Sequence, residues 1–156
     1  MTHSERKPRR RLSMITVASV ASLGILSACS GNSIKSFDPK LETVKTSESL
    51  QFQNINPMIQ MAAAYGDKGA GGHGTFGKFP GNFKTPEHTH TGAYHGVVIK
   101  GAMTNPFNGD QNPPKMTAGS YWYVPAGIKH ATACVSSTPC EFYFHADSAF
   151  DFHPVK

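Results

Sequence analysis

Apolar positions along the chain fall into two kinds of stretch. An almost continuous apolar run covers residues 12 to 28, behind a strongly basic N-terminus. After it, Gly and Pro separate short runs rich in β-branched and aromatic residues, namely LQFQNI, IQMAAAY, GTFGKF, YHGVVIKG, SYWYVP, HATACV and EFYFHA. No stretch beyond residue 28 sustains a helical apolar period. Many short strands at near-regular spacing predict an all-β sandwich or barrel over residues 50 to 155, with no long helix.

The first apolar run has the pattern of an export signal. It is too short and too rich in Ser, Thr and Gly for a membrane-spanning helix. Its end, LSAC at residues 26 to 29, resembles the lipobox of bacterial lipoproteins, which implies cleavage before Cys29 and acylation of that cysteine. The alternative is an ordinary secretory peptide with an incidental cysteine. RRRL at residues 9 to 12 also resembles a twin-arginine signal, so the export route stays open.

These features divide the chain into a lipoprotein signal peptide at residues 1–28, a lipid-anchored flexible linker at 29–48 and a folded domain at 49–156. The linker is polar and has little periodicity. Ser30, rather than aspartate, follows the cysteine, which resembles the sorting signal for the outer membrane. We therefore expect an exported protein, lipid-anchored in the cell envelope at the periplasmic face of the outer membrane.

The basic signal accounts for most of the chain's formal charge of +5. Five of the fifteen basic residues and one of the ten acidic residues precede residue 29, so the remainder carries a net charge of only +1. A chain so nearly neutral has no electrostatic footprint for nucleic acid. We therefore expect no nucleic-acid partner.

Two cysteines remain once Cys29 is assigned to the lipid. Cys134 and Cys140 flank VSSTP, a turn-like stretch between two strand-like runs. In an exported chain, where disulfides persist, we expect a Cys134–Cys140 bridge across the neck of a hairpin. Free thiols and soft metal ligands are the alternatives.

Histidines are concentrated in TPEHTHTGAYHG, residues 85 to 96, which contains His88, His90 and His95. Alternate residues on a strand point the same way, so His88 and His90 can aim two nitrogens at one point. His130 follows a Pro-Ala-Gly turn and enters a strand that can lie beside the first. Three imidazoles from adjacent strands make a facial set with open positions, as a catalytic or ligand-binding metal requires.

The same alternation predicts which neighbour of these histidines faces inward. Tyr94 shares the parity of His90, so it should enter the barrel while His95 points outward. A bulge at Gly92 would reverse the two side chains, because bulges often occur at glycine.

Two ordered motifs resemble those of the cupin superfamily. Residues 119 to 134 follow the second cupin motif, G-x5-P-x-G-x2-H-x3-N, with Cys134 in place of the asparagine. Residues 88 to 101 follow the first, H-x-H-x3,4-E-x6-G, with Tyr94 in place of the glutamate. Seven positions match in all. The chain also resembles a bacterial cupin-like family of exported proteins that carries a domain-of-unknown-function label.

The resemblance implies a single-domain, double-stranded β-helix, the jelly-roll barrel of cupins. It implies one divalent transition metal ion on His88, His90 and His130, with Tyr94 or else His95 as a further ligand. Imidazole-rich coordination suits Fe, Zn, Mn, Cu or Ni, so the sequence does not choose the metal. A barrel that has lost its metal is the alternative, since the acidic ligand is missing.

Four further side chains are assigned by their surroundings. Trp122 and His145 are candidates for the ligand pocket, with a solvent-facing position as the alternative for His145. His73 in a Gly-rich turn and His153 near the C-terminus are expected to be exposed.

Three functions are compatible with these features. The first is a metal-dependent enzyme acting on a small molecule, a dioxygenase-type oxidoreductase, in which Tyr94 is the candidate catalytic residue. The second is a non-catalytic sensor or scavenger that binds a small ligand or a metal. The third is a scaffold barrel without a metal. A homodimer is compatible with each, and the sequence identifies no substrate.

Replacing Cys29 tests the lipid anchor. Cys29→Ser should move the protein from the membrane fraction to the soluble fraction of its native cells, because lipobox processing acylates only cysteine. Ser30→Ala keeps the cysteine and should remain in the membrane fraction. Unchanged membrane association of Cys29→Ser would contradict the assignment.

Overall fold

The computed structural model describes residues 40–156. The predicted signal peptide, Cys29 and residues 30–39 of the predicted linker lie outside the described residues. Residues 40–156 contain twelve strands and one 3-10 turn, Ser47–Ser49. No helix in this part of the chain has the length and apolarity needed to cross a membrane.

The strands are short, as the apolar runs predict. In chain order they are β1 (Gln53–Asn56), β2 (Ile59–Gly66), β3 (His73–Phe79), β4 (Phe83–Lys84), β5 (His88–Thr89), β6 (Tyr94–Lys100), β7 (Ala102–Thr104), β8 (Met116–Thr117), β9 (Tyr121–Val124), β10 (Ala133–Cys134), β11 (Cys140–Ala146) and β12 (His153–Pro154).

The strands form two main sheets and one small pair. The larger sheet has the order β1-β2-β3-β11-β6-β9, the smaller one β4-β10-β7-β8, and β12 pairs with β5. All these strand pairs are antiparallel. The neighbours β3-β11-β6 are far apart in sequence, which is typical of a jelly roll rather than a simple meander. The predicted all-β barrel is confirmed.

The core lies between the two main sheets. Phe142 and Phe144 of β11 point inward, with 5% and 1% of their surfaces exposed. They meet Trp122 of the larger sheet and Met103 of the smaller one in a single buried cluster. Alternation along β11 is strict, so burying its two phenylalanines sends Tyr143 and His145 to the outer face.

One glycine makes room for the largest core side chain. Gly96 of β6 pairs with Trp122 of β9. A Cβ at Gly96 would lie 2.1 Å from the indole ring. The indole therefore lies over the glycine backbone, which fixes Trp122 in the barrel interior.

The expected disulfide is present, but it does not close a hairpin. The sulfur atoms of Cys134 and Cys140 are 2.07 Å apart. Cys134 belongs to β10 in the smaller sheet and Cys140 begins β11 in the larger one. The hairpin prediction was wrong because β10 and β11 pair with other strands. The bond therefore links the two sheets at one end of the core.

Removing this bridge should weaken the fold moderately. Closing so short a loop restricts the unfolded chain, and the entropic cost corresponds to about 2 kcal/mol. We expect the Cys134→Ala/Cys140→Ala double variant to lose about that much free energy of unfolding in urea. As the matched control, unreduced Cys29→Ser protein should show no reactive thiol after denaturation. Two reactive thiols would contradict the bridge.

Candidate metal centre

Direct backbone pairing brings two histidines from distant parts of the chain together. The N–H of His88 donates to the carbonyl of His130 at 2.9 Å, and the N–H of His130 donates back at 3.0 Å. Residues paired in this way across antiparallel backbones point their side chains to the same face. Their ring centroids are accordingly 4.3 Å apart.

The third histidine joins them through strand alternation and a turn. His90 lies two residues after His88, so its side chain returns to the same face. Its carbonyl accepts a hydrogen bond of 2.9 Å from the N–H of Gly127. Gly127 has a φ of +72°, a left-handed conformation that glycine adopts without strain. The Pro-Ala-Gly turn therefore fixes the position of the His90 loop, and it also leads the chain to His130.

Each of the three rings is oriented by a backbone carbonyl. The Nδ1 atoms of His88 and His130 lie 2.9 Å from the Pro86 oxygen and 3.1 Å from the Ile128 oxygen. The Nδ1 of His90 meets the carbonyl of Asp151. A carbonyl only accepts hydrogen bonds, so every Nδ1 carries the proton and every Nε2 keeps its lone pair.

This arrangement fits a metal ion. One ligand nitrogen from each histidine lies within 4.8 Å of the others, and all three side chains are buried. Two metal–nitrogen bonds of about 2.1 Å span about 4.2 Å, so small ring rotations bring all three onto one ion. The Nε2 of His90 is also buried without any hydrogen-bond partner. An uncompensated nitrogen of this kind favours a cation at the centre of the three rings.

Burial keeps the imidazoles neutral. It lowers the pKa of His88 and of His90 to about 4, and it lowers the pKa of His130 in the same direction. Metal ligation requires the neutral form, so no proton has to leave these rings at neutral pH.

Tyr94 enters the site and His95 does not. The Tyr94 phenol is 4% exposed, and its oxygen lies 3.2 Å from the Nε2 of His130. Because that nitrogen holds a lone pair, the phenol donates. Burial raises the pKa of Tyr94 to about 12. His95 is exposed on the outer face, where its Nδ1 meets the Tyr121 hydroxyl at 2.6 Å. No bulge reverses the two side chains.

A cavity extends from the histidines into the barrel. Its volume is about 70 Å³, counted as the space open to the centres of water molecules. That is room for about five water molecules. Its lining is predominantly aromatic and aliphatic: Ile59, Met61, Phe79, Tyr94, Trp122, Phe142, Phe144, Phe150 and Phe152, with Thr85, His88, His90 and Thr132 as polar members. Among the described residues, no Asp, Glu, Lys or Arg belongs to this lining.

Of the two predicted pocket residues, the structure places only one in the cavity. Trp122 lines it, and its indole Nε1 is buried, facing the Tyr94 phenol without a close hydrogen bond to any described residue. His145 lies on the outer face, with Nδ1 2.7 Å from the Tyr65 hydroxyl and Nε2 3.0 Å from an Asp147 carboxylate oxygen. The pocket assignment of His145 was wrong because Phe142 and Phe144 occupy the inward positions of its strand.

The expectation that His73 is exposed was also wrong. His73 begins β3 and is fully buried, with its ring 5.3 Å from that of Phe144. Its neighbouring glycine serves packing rather than a turn, because a Cβ at Gly74 would lie 2.2 Å from the Tyr143 hydroxyl and 2.5 Å from the Tyr65 ring. His153 is exposed, as expected.

The sequence analysis missed the contribution of the C-terminal segment. Phe150 stacks on His90 and Phe152 on His88, each at a centroid distance of 4.2 Å. Between them, Asp151 supplies the carbonyl that orients His90, and its carboxylate accepts from the Thr91 N–H at 2.8 Å. The alternation in FDFHP was the available signal, since it places two phenylalanines on one face. We call residues 148–154 the C-terminal strap.

Comparison with known proteins agrees with this architecture. The family model of a domain of unknown function, DUF4437, matches residues 42–156. No curated protein matches the chain.

Among solved structures, the chain is similar to the polyketide cyclase RemF from Streptomyces resistomycificus, with a TM-score of 0.63 and 16% identity over 74% of this chain and 87% of that one. An RmlC-like cupin from Shewanella frigidimarina gives a TM-score of 0.57 and 16% identity over 70% and 92% of the two chains. An RmlC-like cupin with a double-stranded β-helix fold from Methanocaldococcus jannaschii gives a TM-score of 0.52 and 21% identity, over 70% of this chain and 93% of that one.

At these identities the likeness concerns the fold alone, and that fold is the cupin barrel. The family model, in contrast, covers nearly all of the described residues. The chain belongs to the DUF4437 family and has the cupin fold.

Proposed function

We propose that the protein binds one divalent transition metal ion through His88, His90 and His130, and that it binds or transforms a small molecule beside that ion. The observation that carries the proposal is the common orientation of the three rings, each with Nδ1 held by a carbonyl and Nε2 directed to the others. Such carbonyl contacts to the second ring nitrogen are typical of ligating histidines. When bound, the ion would supply Lewis acidity, or O₂ activation if it is redox-active.

The phenol of Tyr94 responds directly to metal binding. It donates to the Nε2 of His130, the same lone pair that a metal requires. A metal ion on that nitrogen would replace this hydrogen bond, and the buried phenol O–H would then lie beside the ion, with Thr132 as its other hydrogen-bonding neighbour. We propose that Tyr94 then orients the bound molecule and is the candidate catalytic residue.

The aromatic lining shields that molecule from part of the bulk water. Phe150 and Phe152 of the C-terminal strap cover two of the ligating rings, and the barrel aromatics close the other side. A reaction with O₂ or with a reactive intermediate benefits from such exclusion, which supports a dioxygenase-type activity.

Non-catalytic binding is the second candidate. If the three histidines were ligated, the described lining of the cavity would offer no free imidazole or carboxylate as a general base. A reaction that needs a base would therefore have to take it from the substrate or from metal-bound solvent. A sensor or scavenger of a small ligand needs no base at all.

The place of action that we propose is the cell envelope. The lipobox-like LSAC and the basic, apolar N-terminus support lipid anchoring at Cys29. The buried disulfide agrees with an oxidising compartment.

Metal content tests the proposal. Elemental analysis of protein from its native cells should find about one transition metal ion per chain. His90→Ala should reduce that content at least tenfold, because each ligand is needed in a three-ligand site. His95→Ala is the matched control on the adjacent outer face and should retain the metal. Equal content in wild type and in a His88/His90/His130 triple alanine variant would exclude the site.

Tyr94→Phe separates two roles of the phenol. We expect the metal to stay and the affinity for the bound molecule to fall, because only the O–H donor is removed. The readouts are metal content and ligand titration of the same samples. Loss of metal from Tyr94→Phe would instead make the phenol a ligand.

The neutral imidazoles should also make stability depend on pH. In chelator-treated protein, His90 has a folded pKa of about 4 and an ordinary value of 6.5 when unfolded. Between these values the unfolded chain binds protons that the folded chain does not. The free energy of unfolding should therefore have its full value above pH 6.5 and decrease as the pH drops towards 4.

Urea titrations at several pH values measure this loss. His90→Gln should show a shallower decline than wild type, whereas His95→Gln should decline like wild type. Equal slopes for all three proteins would contradict a buried, neutral His90.

A further inference from the structure

The charge of the loaded site is not balanced by the protein. Three neutral imidazoles leave a divalent ion with its full charge of +2, and the cavity lining contains no carboxylate. The nearest carboxylate on the strap, that of Asp151, accepts from the Thr91 N–H and from His153 instead. Buried charge without a partner is costly in an apolar cavity. The molecule that binds beside the ion should therefore carry a negative charge.

The remaining side chains of the lining indicate the polarity of the rest of that molecule. Seven aromatic side chains surround the cavity beside the histidines: Phe79, Tyr94, Trp122, Phe142, Phe144, Phe150 and Phe152. A polar body such as a sugar would leave several hydroxyl groups without partners against these rings. A flat or compact apolar body fills the same space without that penalty.

One donor in the lining makes no close hydrogen bond to any described residue. The Nε1–H of Trp122 is buried, lines the cavity and faces the Tyr94 phenol oxygen, which is its nearest acceptor group. If a metal took the lone pair of His130, the Tyr94 O–H, whose other neighbour is Thr132, would be a second donor for a bound molecule. Two N–H or O–H donors and one cation, with no charged acceptor, match an oxygen anion rather than an amine.

We propose that the natural ligand is a small anion with an apolar, ring-sized body and one acidic oxygen group, an ionised carboxylate or hydroxyaromatic. Its anionic oxygen meets the metal and the Tyr94 and Trp122 donors, while its body lies among the phenylalanines. The inference rests on the proposed metal site, because without the ion nothing in the lining neutralises an anion.

Fluorinated probes that differ in charge or in the presence of a ring test the charge requirement by ¹⁹F NMR on the full chain. With zinc bound, 4-fluorobenzoate should bind at least tenfold more tightly than fluorobenzene, and 4-fluorobenzylammonium should bind most weakly. Trifluoroacetate, which lacks the ring, should bind more weakly than 4-fluorobenzoate. Removing zinc with a chelator should abolish the preference for 4-fluorobenzoate and leave fluorobenzene binding unchanged.

Trp122→Phe tests the indole donor with a matched aromatic ring. The variant should bind 4-fluorobenzoate several-fold more weakly and fluorobenzene as before, which also shows that the cavity is intact. An unchanged ratio of the two affinities would overturn the role of the indole.

The zinc content of each sample separates the two levels of failure. A chain that takes up no zinc contradicts the proposed function. A chain that holds zinc but binds 4-fluorobenzoate no better than fluorobenzene, or binds neither probe, overturns only the inference about the ligand.

Discussion

The reciprocal backbone pairing of His88 with His130 is the constraint on which the site depends. It joins the strand that follows Pro86 to the segment that follows the Pro-Ala-Gly turn, and it forces both imidazoles onto one face. A one-residue slip of this register would put the two imidazoles on opposite faces. The candidate metal site therefore depends first on the register of these two strands.

A second set of backbone contacts determines which nitrogen of each ring is free to bind a metal. Carbonyls of Pro86, Ile128 and Asp151 hold the three Nδ1–H groups, so the tautomer of every ring is fixed by main chain rather than by carboxylates. Main-chain acceptors carry no charge. The site consequently gains orientation without gaining negative charge, and a bound cation keeps its full attraction for an incoming anion.

Strand alternation made most of this site predictable from the sequence. It placed His88 and His90 together, and it distinguished Tyr94 from His95 once no bulge intervened. In β11 the same rule left the direction of His145 open, and the structure gives the interior to Phe142 and Phe144, so His145 points outward. His73 failed for another reason, because Gly74 was interpreted as a turn residue although it makes room for Tyr143 and Tyr65. Such close packing depends on strands that are far apart in sequence.

Alternation can place Phe150 and Phe152 of the C-terminal strap on one face, but it cannot predict that this face lies against the histidines. Strand β12 of the strap has only two residues, so its position depends on pairing with β5 rather than on any apolar period. That pairing sets Phe150 and Phe152 against the ligating rings and the Asp151 carbonyl against His90. The strap orients His90 and covers the rings of His88 and His90, so the geometry of the candidate metal site and access to the cavity both depend on the same short segment.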